Sequence, residues 1–371
     1  MENIPLSLYI HFPWCKKKCP YCDFNSLEMQ SDTSISEYVL ALENDLKSEV
    51  VDEKRSKLVS IFLGGGTPSL IPGPELGVLF KAIKNEFDFL NTEITIEANP
   101  GSSEFSNFRD YKLLGINRLS IGAQTFNEGA LEKIGRLHNS SEIENAFALA
   151  RKADFDNINV DIMYGLPNQT VSEAIYDLEK AIALDPEHIS WYELTVEPNT
   201  LFFKNPPKLP SDVRKERMFE VGKEKLLAAG YNQYEISAYA KSGKQSKHNT
   251  NYWEFGDYLG IGAGAHGKLT EASAVKRTKK TRNPKDYIKD NQSIARKVDA
   301  EELITEFLIN VLRLKNGFDL SLFEQRCHQH RSNLEPFLLK ALDKNLIKVE
   351  RGRVTPTEKG SLFLNELVLL A

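Results

Sequence analysis

The chain has 371 residues, 41% of them hydrophobic and 27% charged, with a formal net charge of −5. These values fit a globular chain long enough for one large core and a smaller appended domain, and they exclude a general basic footprint for nucleic acid. No run approaches 18 apolar residues, and the opening MENIPLSLYIHF lacks the apolar stretch of a signal peptide, so a cytoplasmic protein without a membrane span is expected.

LSLYIHF reads as a strand and leads into the loop CKKKCPYCDF, Cys15 to Phe24. Residues 35–51 have apolar positions at helical spacing, and VSIFLGG, Val59 to Gly65, is a short apolar run that predicts a buried strand. A helix opened by proline follows (PELGVLFKAIKNEF), then the strand EITIEANP and a helix from about Ser103 to Leu114. NRLSIGAQ, INVDIMYGLP and HISWYELTVEP predict three more strands, separated by helices at Ser141 to Lys152 and Val171 to Leu184. Six strand–helix alternations imply parallel strands with helical crossovers. Six units are too few for a closed eight-fold barrel, so the expected fold is α/β, a partial (β/α)6 TIM-like barrel. Polar residues cluster just after the strand ends, in GGGT, EANP, GAQT and DIMYG, where such sheets place their chemistry.

The alternation stops at a proline-rich connection, LFFKNPPKLPS, followed by a long helix and the glycine-rich run GDYLGIGAGAHG. Residues 270–297, rich in Lys, Arg and Asn, predict an exposed segment. Beyond Ala300 a helical pattern ends in LIKVERGRVTPTEKG, which predicts a β-hairpin wing. The expected domains are a partial barrel over 1–205, a connecting module over 206–297, and a C-terminal helical, winged-helix-like domain over 298–371.

Cys15, Cys19 and Cys22 have the spacing C-x3-C-x2-C, and the chain has only one other cysteine, Cys327. Structural zinc takes four ligands from paired Cys or His elements, and neither Cys327 nor His11 supplies an obvious fourth. Three thiolates suit an iron–sulfur cluster with one iron left for a small chelating molecule. Gly64, Gly65 and Gly66 close the second strand; glycine lets a backbone approach a ligand and present its N–H groups to a carboxylate, although the same residues also make a plain tight turn.

C-x3-C-x2-C with Tyr21 before its last cysteine resembles the radical S-adenosylmethionine (SAM) superfamily. The resemblance implies a [4Fe–4S] cluster whose open iron binds SAM. Within that superfamily YIHFPWC, GGGTPS, EANP, GAQT, GRLH and DIMYGLP resemble the oxygen-independent coproporphyrinogen III oxidase group, from Tyr9 to about Gly267. The group implies that Tyr9, Gly65 and Glu97 contact the cluster-bound SAM, and the superfamily implies that the glycine segment binds its amino group. Tyr21, Gly66, Thr67, Gln124, Arg136 and Asp161 match positions lining a further SAM site in the oxidases.

Two departures separate this chain from the oxidases. They carry a further cysteine where Phe24 stands, and a substantial extension before the first strand, whereas eight residues precede Tyr9 here. HNTNYW, His248 to Trp253, instead resembles the hallmark of the group's heme chaperone branch. That branch implies heme as a third cofactor, bound by His248, with transfer to acceptor apoproteins, respiratory ones among them, and no coproporphyrinogen oxidase activity. Coproporphyrinogen III oxidase is the alternative. Peripheral membrane contact and a homodimer are further candidates. An imidazole suits axial ligation of heme iron, and nearby Tyr and Trp offer flat apolar faces. Lys241, Lys244 and Lys247 could meet propionates; His266 is a second candidate histidine. Cys327, beside His328 and His330, reads as structural.

Overall fold

The computed structural model describes residues 4–50, 57–101, 107–271 and 274–371. Six parallel strands form its centre: β1 (Leu6–Phe12), β2 (Leu58–Gly65), β3 (Glu93–Ala98), β4 (Arg118–Gln124), β5 (Ile158–Tyr164) and β6 (His188–Glu193), each paired with the next. β4 is buried along its whole length, as parallel strands covered on both faces are. The sheet continues past β6 through two short antiparallel strands, β7 (Asn232–Gln233) and β8 (Ala238–Ala240). On its other side β9 (Asp257–Ile261) runs parallel to β1, followed by the antiparallel β10 (His266–Glu271), β11 (Ala274–Lys279) and β12 (Ile294–Lys297). The order is β12-β11-β10-β9-β1-β2-β3-β4-β5-β6-β8-β7. The partial barrel is therefore present, and it includes a seventh parallel strand where the sequence reads as a glycine-rich run.

The crossovers are α1 (Ile35–Glu49), α2 (Gly73–Glu86), α3 (Phe108–Leu113), α4 (Glu128–Lys133) with α5 (Ser140–Lys152), and α6 (Val171–Ala183). Ser34 caps α1 by accepting from the Glu37 N–H, and α5 and α6 start with reciprocal capping boxes, Asn139 with Glu142 and Thr170 with Glu173. Each cap satisfies N–H groups that the helix cannot, a contribution of about 1 kcal/mol. The beginning of the helix expected from Ser103 lies outside the described residues. Leu8, Ile10, Ile61, Leu63, Ile94, Ile96 and Ile121 join the inner faces of the helices in one continuous core; full burial of each such side chain stabilises by about 1.5–3 kcal/mol.

After α7 (Leu201–Lys204) and α8 (Asp212–Ala228), the HNTNYW segment forms a short helix, α9 (Lys247–Trp253). Asn251 on α9 donates to Ser7 Oγ and to the Asp257 carbonyl, fastening the helix between β1 and β9. Residues 270–297 are not simply an exposed segment: they contribute β11, α10 (Pro284–Lys289) and β12, and Lys280 is buried against Asp45 and Glu49 of α1. The last region packs α11 (Ala300–Val311), α12 (Leu320–Cys327) and α13 (Glu335–Asp343) around Phe307, which meets Phe255, Phe318 and Phe323 edge to face. The expected wing is the hairpin Ile347–Glu350 with Arg353–Pro356, and Cys327 is buried in this core.

Candidate functional site

β1 delivers the chain into the cysteine loop, which is held from both sides. Trp14 and Cys15 pair with Leu27 and Glu28, and Lys18 Nζ donates to the carbonyls of Phe24 and Ser26. Cys15, Cys19 and Cys22 are free and partly exposed. The Cys22 thiol lies 3.5 Å from Ser26 Oγ, and Arg136 Nη1 points at Cys19 Sγ from 3.8 Å. Burial pushes the Cys15 and Cys22 thiols up, and the neighbouring cysteines add to this. Among the described residues no three His, Cys, Asp or Glu side chains converge as ligands of one metal ion. Three free thiols on one tethered loop, with hydroxyl and guanidinium donors beside them, fit the three-thiolate side of a cluster.

The glycine strand end is built differently from the sequence expectation. Gly66 N donates to the Phe12 carbonyl at 2.7 Å, Thr67 N to the Trp14 carbonyl at 2.8 Å, and Gly65 N to Glu97 Oε2 at 3.1 Å. The N–H groups of these three residues are thus engaged within the protein and are not free for a ligand's carboxylate. A backbone whose donors are all used recognises a ligand through its carbonyls, which suits an ammonium group. Glycine is required at Gly65: its φ is 111° and a Cβ would lie 2.5 Å from the His11 ring.

From there a polar chain crosses to the cysteines. Asn99 Nδ2 donates to Thr67 Oγ1 (2.9 Å), and Asn99 Oδ1 accepts from Arg136 Nη2 (2.5 Å), which also donates to the Gly122 carbonyl. Tyr21 lies close enough for Arg136 to stabilise its phenolate, although burial still raises that phenol strongly. Gln124 ends β4 at φ 70° and accepts from Tyr192 Oη at 2.6 Å. A non-glycine residue held in the left-handed region is a strained position of the kind that clusters at binding sites. Asp161 accepts from Ser120 and Asn159. Asn99 escaped the sequence reading although it stands inside EANP; its place two residues after Glu97, on the same face of an extended chain, was the available signal.

His248, on α9, lies beside Tyr9, with ring centroids 6.2 Å apart. Its ring stacks on Phe62 with centroids 4.5 Å apart, its Nδ1 is 3.3 Å from Ser60 Oγ, and its own N–H donates to Glu93 Oε1. Nε2 has no partner among the described residues. Burial, with the Arg118 charge, lowers the imidazole to about 3, so it is neutral near pH 7, as an iron ligand must be. When Nδ1–H donates to Ser60 Oγ, which in turn reaches Ser7 Oγ at 2.7 Å, the Nε2 lone pair is left over. That is the usual support of a metal-binding histidine.

His248 lines a cavity of about 580 Å³ together with Tyr9, Tyr252, Tyr258, Phe24 and His266. His11 reaches the same cavity but both its nitrogens are used: Nε2 bonds the Asn25 carbonyl and Nδ1 bonds Tyr9 Oη. Since a carbonyl only accepts, Nε2 carries the proton and Nδ1 accepts. Two of the three lysines expected at propionates are placed otherwise: Lys241 pairs with Asp185, and Lys244 donates to the Asp156 carbonyl.

A seven-stranded parallel half-barrel that carries a three-cysteine loop at the end of its first strand defines a radical SAM fold. The radical SAM superfamily profile matches residues 9–181, and that of the HemN C-terminal domain matches residues 298–363. The solved coproporphyrinogen III oxidase HemN from Escherichia coli superposes with a TM-score of 0.84 over 99% of this chain and 90% of its own, at 23% identity, which shows the shared fold. Heme chaperone HemW from Haemophilus influenzae is 47% identical over 99% of this chain and 97% of its own length, and heme chaperone HemW from Bacillus subtilis is 37% identical over 97% of each. The chain belongs to the HemW family. No helix among the described residues is long and apolar enough to cross a membrane.

Proposed function

We propose that this protein binds heme through His248 and passes it to acceptor apoproteins. Cys15, Cys19 and Cys22 would hold a [4Fe–4S] cluster. Tyr9, Gly65 and Glu97 would contact SAM on its open iron, with Tyr21, Gly66, Thr67, Gln124, Arg136 and Asp161 as the further polar shell. The cluster supplies one-electron chemistry when bound; the residues of this chain bind, orient and shield.

The observation that carries the reading is the His248 imidazole itself. It is neutral, supported at Nδ1 by Ser60, unpartnered at Nε2 among the described residues, and set in an aromatic cavity of about 580 Å³. Ligand pockets of this kind run about 300–1,000 Å³. The heme-chaperone names of full-length relatives support the same conclusion. Phe24, at the position of the oxidases' further cysteine, is 58% exposed at that cavity, and it offers an apolar face in place of a thiol.

The test is a heme titration of anaerobically reconstituted protein beside His248→Ala, followed by a coproporphyrinogen oxidase assay on the same samples. Near-stoichiometric binding that depends on His248, without turnover, is expected. Turnover without stable heme binding would make the protein a decarboxylase.

A further inference from the structure

The cavity that holds His248 is polarised from its inner end to its mouth. Inside, Tyr258 is buried, and Tyr9, Tyr252 and His248 are half-buried, so the inner wall is aromatic and shielded from solvent. At the mouth stand Phe24, His266 and Arg282, all exposed. Arg282 is already oriented. Its Nε donates to Asn25 Oδ1 at 3.3 Å, and its carbonyl accepts from Asn25 Nδ2 at 2.9 Å, so the side chain is tied back to the cysteine loop. Nη1 and Nη2 have no partner among the described residues, which leaves open the fork that grips a carboxylate through two parallel hydrogen bonds.

The other cations nearby sort into available and committed. Lys279 lies directly across the β10–β11 pairing from His266 and is exposed. Arg277 is committed: it is ion-paired with Glu306 and donates to Tyr258 Oη. Burial, and after it the charges of Arg277, Lys279 and Arg282, keep His266 from protonating, so three cationic side chains gather at the mouth despite the chain's net charge of −5. An aromatic interior with a neutral imidazole and a cationic rim suits a flat, amphipathic ligand whose acidic groups sit on one edge.

Resting on the heme reading above, we infer that Arg282 is the carboxylate-binding residue of this cavity. It fixes the direction in which the porphyrin enters: apolar edge inward toward Tyr258 and Tyr252, propionates outward at Arg282 and Lys279. In this orientation the propionates keep contact with water, and the cost of desolvating two charges is avoided. Asn25 makes the rim part of the cysteine loop, so the loop that would hold the cluster also positions the anion clamp.

The experiment titrates iron protoporphyrin IX and its dimethyl ester, in one mixed solvent, into anaerobically reconstituted wild type, Arg282→Gln, Arg282→Glu and His248→Ala. Arg282→Glu should weaken the diacid about tenfold, the lower end of what a charge-assisted hydrogen bond contributes, with Arg282→Gln intermediate. Neither substitution should change ester binding, and added salt should weaken the diacid on wild type more than on Arg282→Glu. His248→Ala should weaken both ligands alike. Equal loss of diacid and ester on Arg282→Glu, or no loss of either, overturns the assignment of Arg282 while leaving the heme reading intact. Wild type that binds neither ligand removes the heme reading and this inference together.

Discussion

The Glu97 carboxylate accepts the Gly65 N–H at 3.1 Å, so the third strand clasps the end of the second. Burial, with the nearby Asp161 charge, pushes the Glu97 carboxyl up to about 8. Between roughly pH 4.5, the ordinary glutamate range, and pH 8, the folded chain therefore keeps a proton that the unfolded chain has released. Its contribution to stability is present in full below that window and is lost as pH rises through it. Glu97→Gln removes the titration and can still accept from Gly65. In urea unfolding of cluster-free protein, the variant should gain stability over wild type from pH 5 to pH 8. A tenfold change in proton affinity is worth about 1.4 kcal/mol, so a gain of up to a few kcal/mol is expected. A difference that stays constant across that range would refute it.

Gly65 and Gly115 both have positive φ, 111° and 95°, yet only one has a neighbour. Gly65→Ala would press a methyl onto the His11 ring, which is fixed at both nitrogens. Gly115→Ala meets nothing within 4 Å and carries only backbone strain, about 1–2 kcal/mol. Thermal unfolding should show Gly65→Ala to be the more damaging by at least about 1 kcal/mol; equal losses would mean that His11 yields freely.

Lys280 and Asp45 form an ion pair that is almost wholly buried, and Tyr287 Oη adds a hydrogen bond to Asp45 Oδ2 at 2.5 Å. Removing one partner of such a pair leaves an uncompensated charge, a loss of about 3–5 kcal/mol. Lys280→Met should show that loss in chemical denaturation, and Asp45→Asn combined with Lys280→Met should recover the part due to Asp45, while Glu49 remains without its lysine.

Iron loading separates the cysteines. Single alanine variants of Cys15, Cys19 and Cys22 should each fall to a small fraction of wild-type iron and sulfide after anaerobic reconstitution. Cys327→Ala, buried beside Phe307 and Phe323 in another core, should keep its iron and lose about 1–2 kcal/mol of stability through the vacated volume. Retention of iron by Cys19→Ala would dismiss the three-thiolate cluster.

Ser60 tests the support of His248 without touching the imidazole. Ser60→Ala removes its only side-chain hydrogen-bond partner among the described residues, at 3.3 Å. A neutral hydrogen bond contributes about 1 kcal/mol, so heme affinity should fall about fivefold with the cluster spectrum unchanged. An unaltered heme affinity would show that Nδ1 needs no support.

Much of this arrangement is legible in the residues themselves. VSIFLGG and NRLSIGAQ announce parallel strands because their apolar runs are short and end in glycine or polar residues. Asp257–Ile261 does not announce itself, because glycine has little intrinsic preference for strands. Gly260 is nevertheless demanded there, since a Cβ would meet the His266 carbonyl oxygen at 1.9 Å. The basic stretch after residue 270 misleads for a related reason: the acidic partners of Lys280 are Asp45 and Glu49, more than 200 residues away. Local composition reports charge but not the distant group that neutralises it. The HNTNYW hexapeptide points to His248, while the Phe62 face on which it stacks and the Arg282 mouth belong to other elements and emerge only in three dimensions.

Asn25 holds its place in the cysteine loop by donating to the Ala263 carbonyl, 238 positions further along. On a ribosome adding roughly 5–20 residues per second, the loop would emerge about 12–50 s before that anchor exists. The nascent thiols would spend that interval on an unfinished edge of β1, and the loop would reach its final setting only once the last parallel strand has closed against the first.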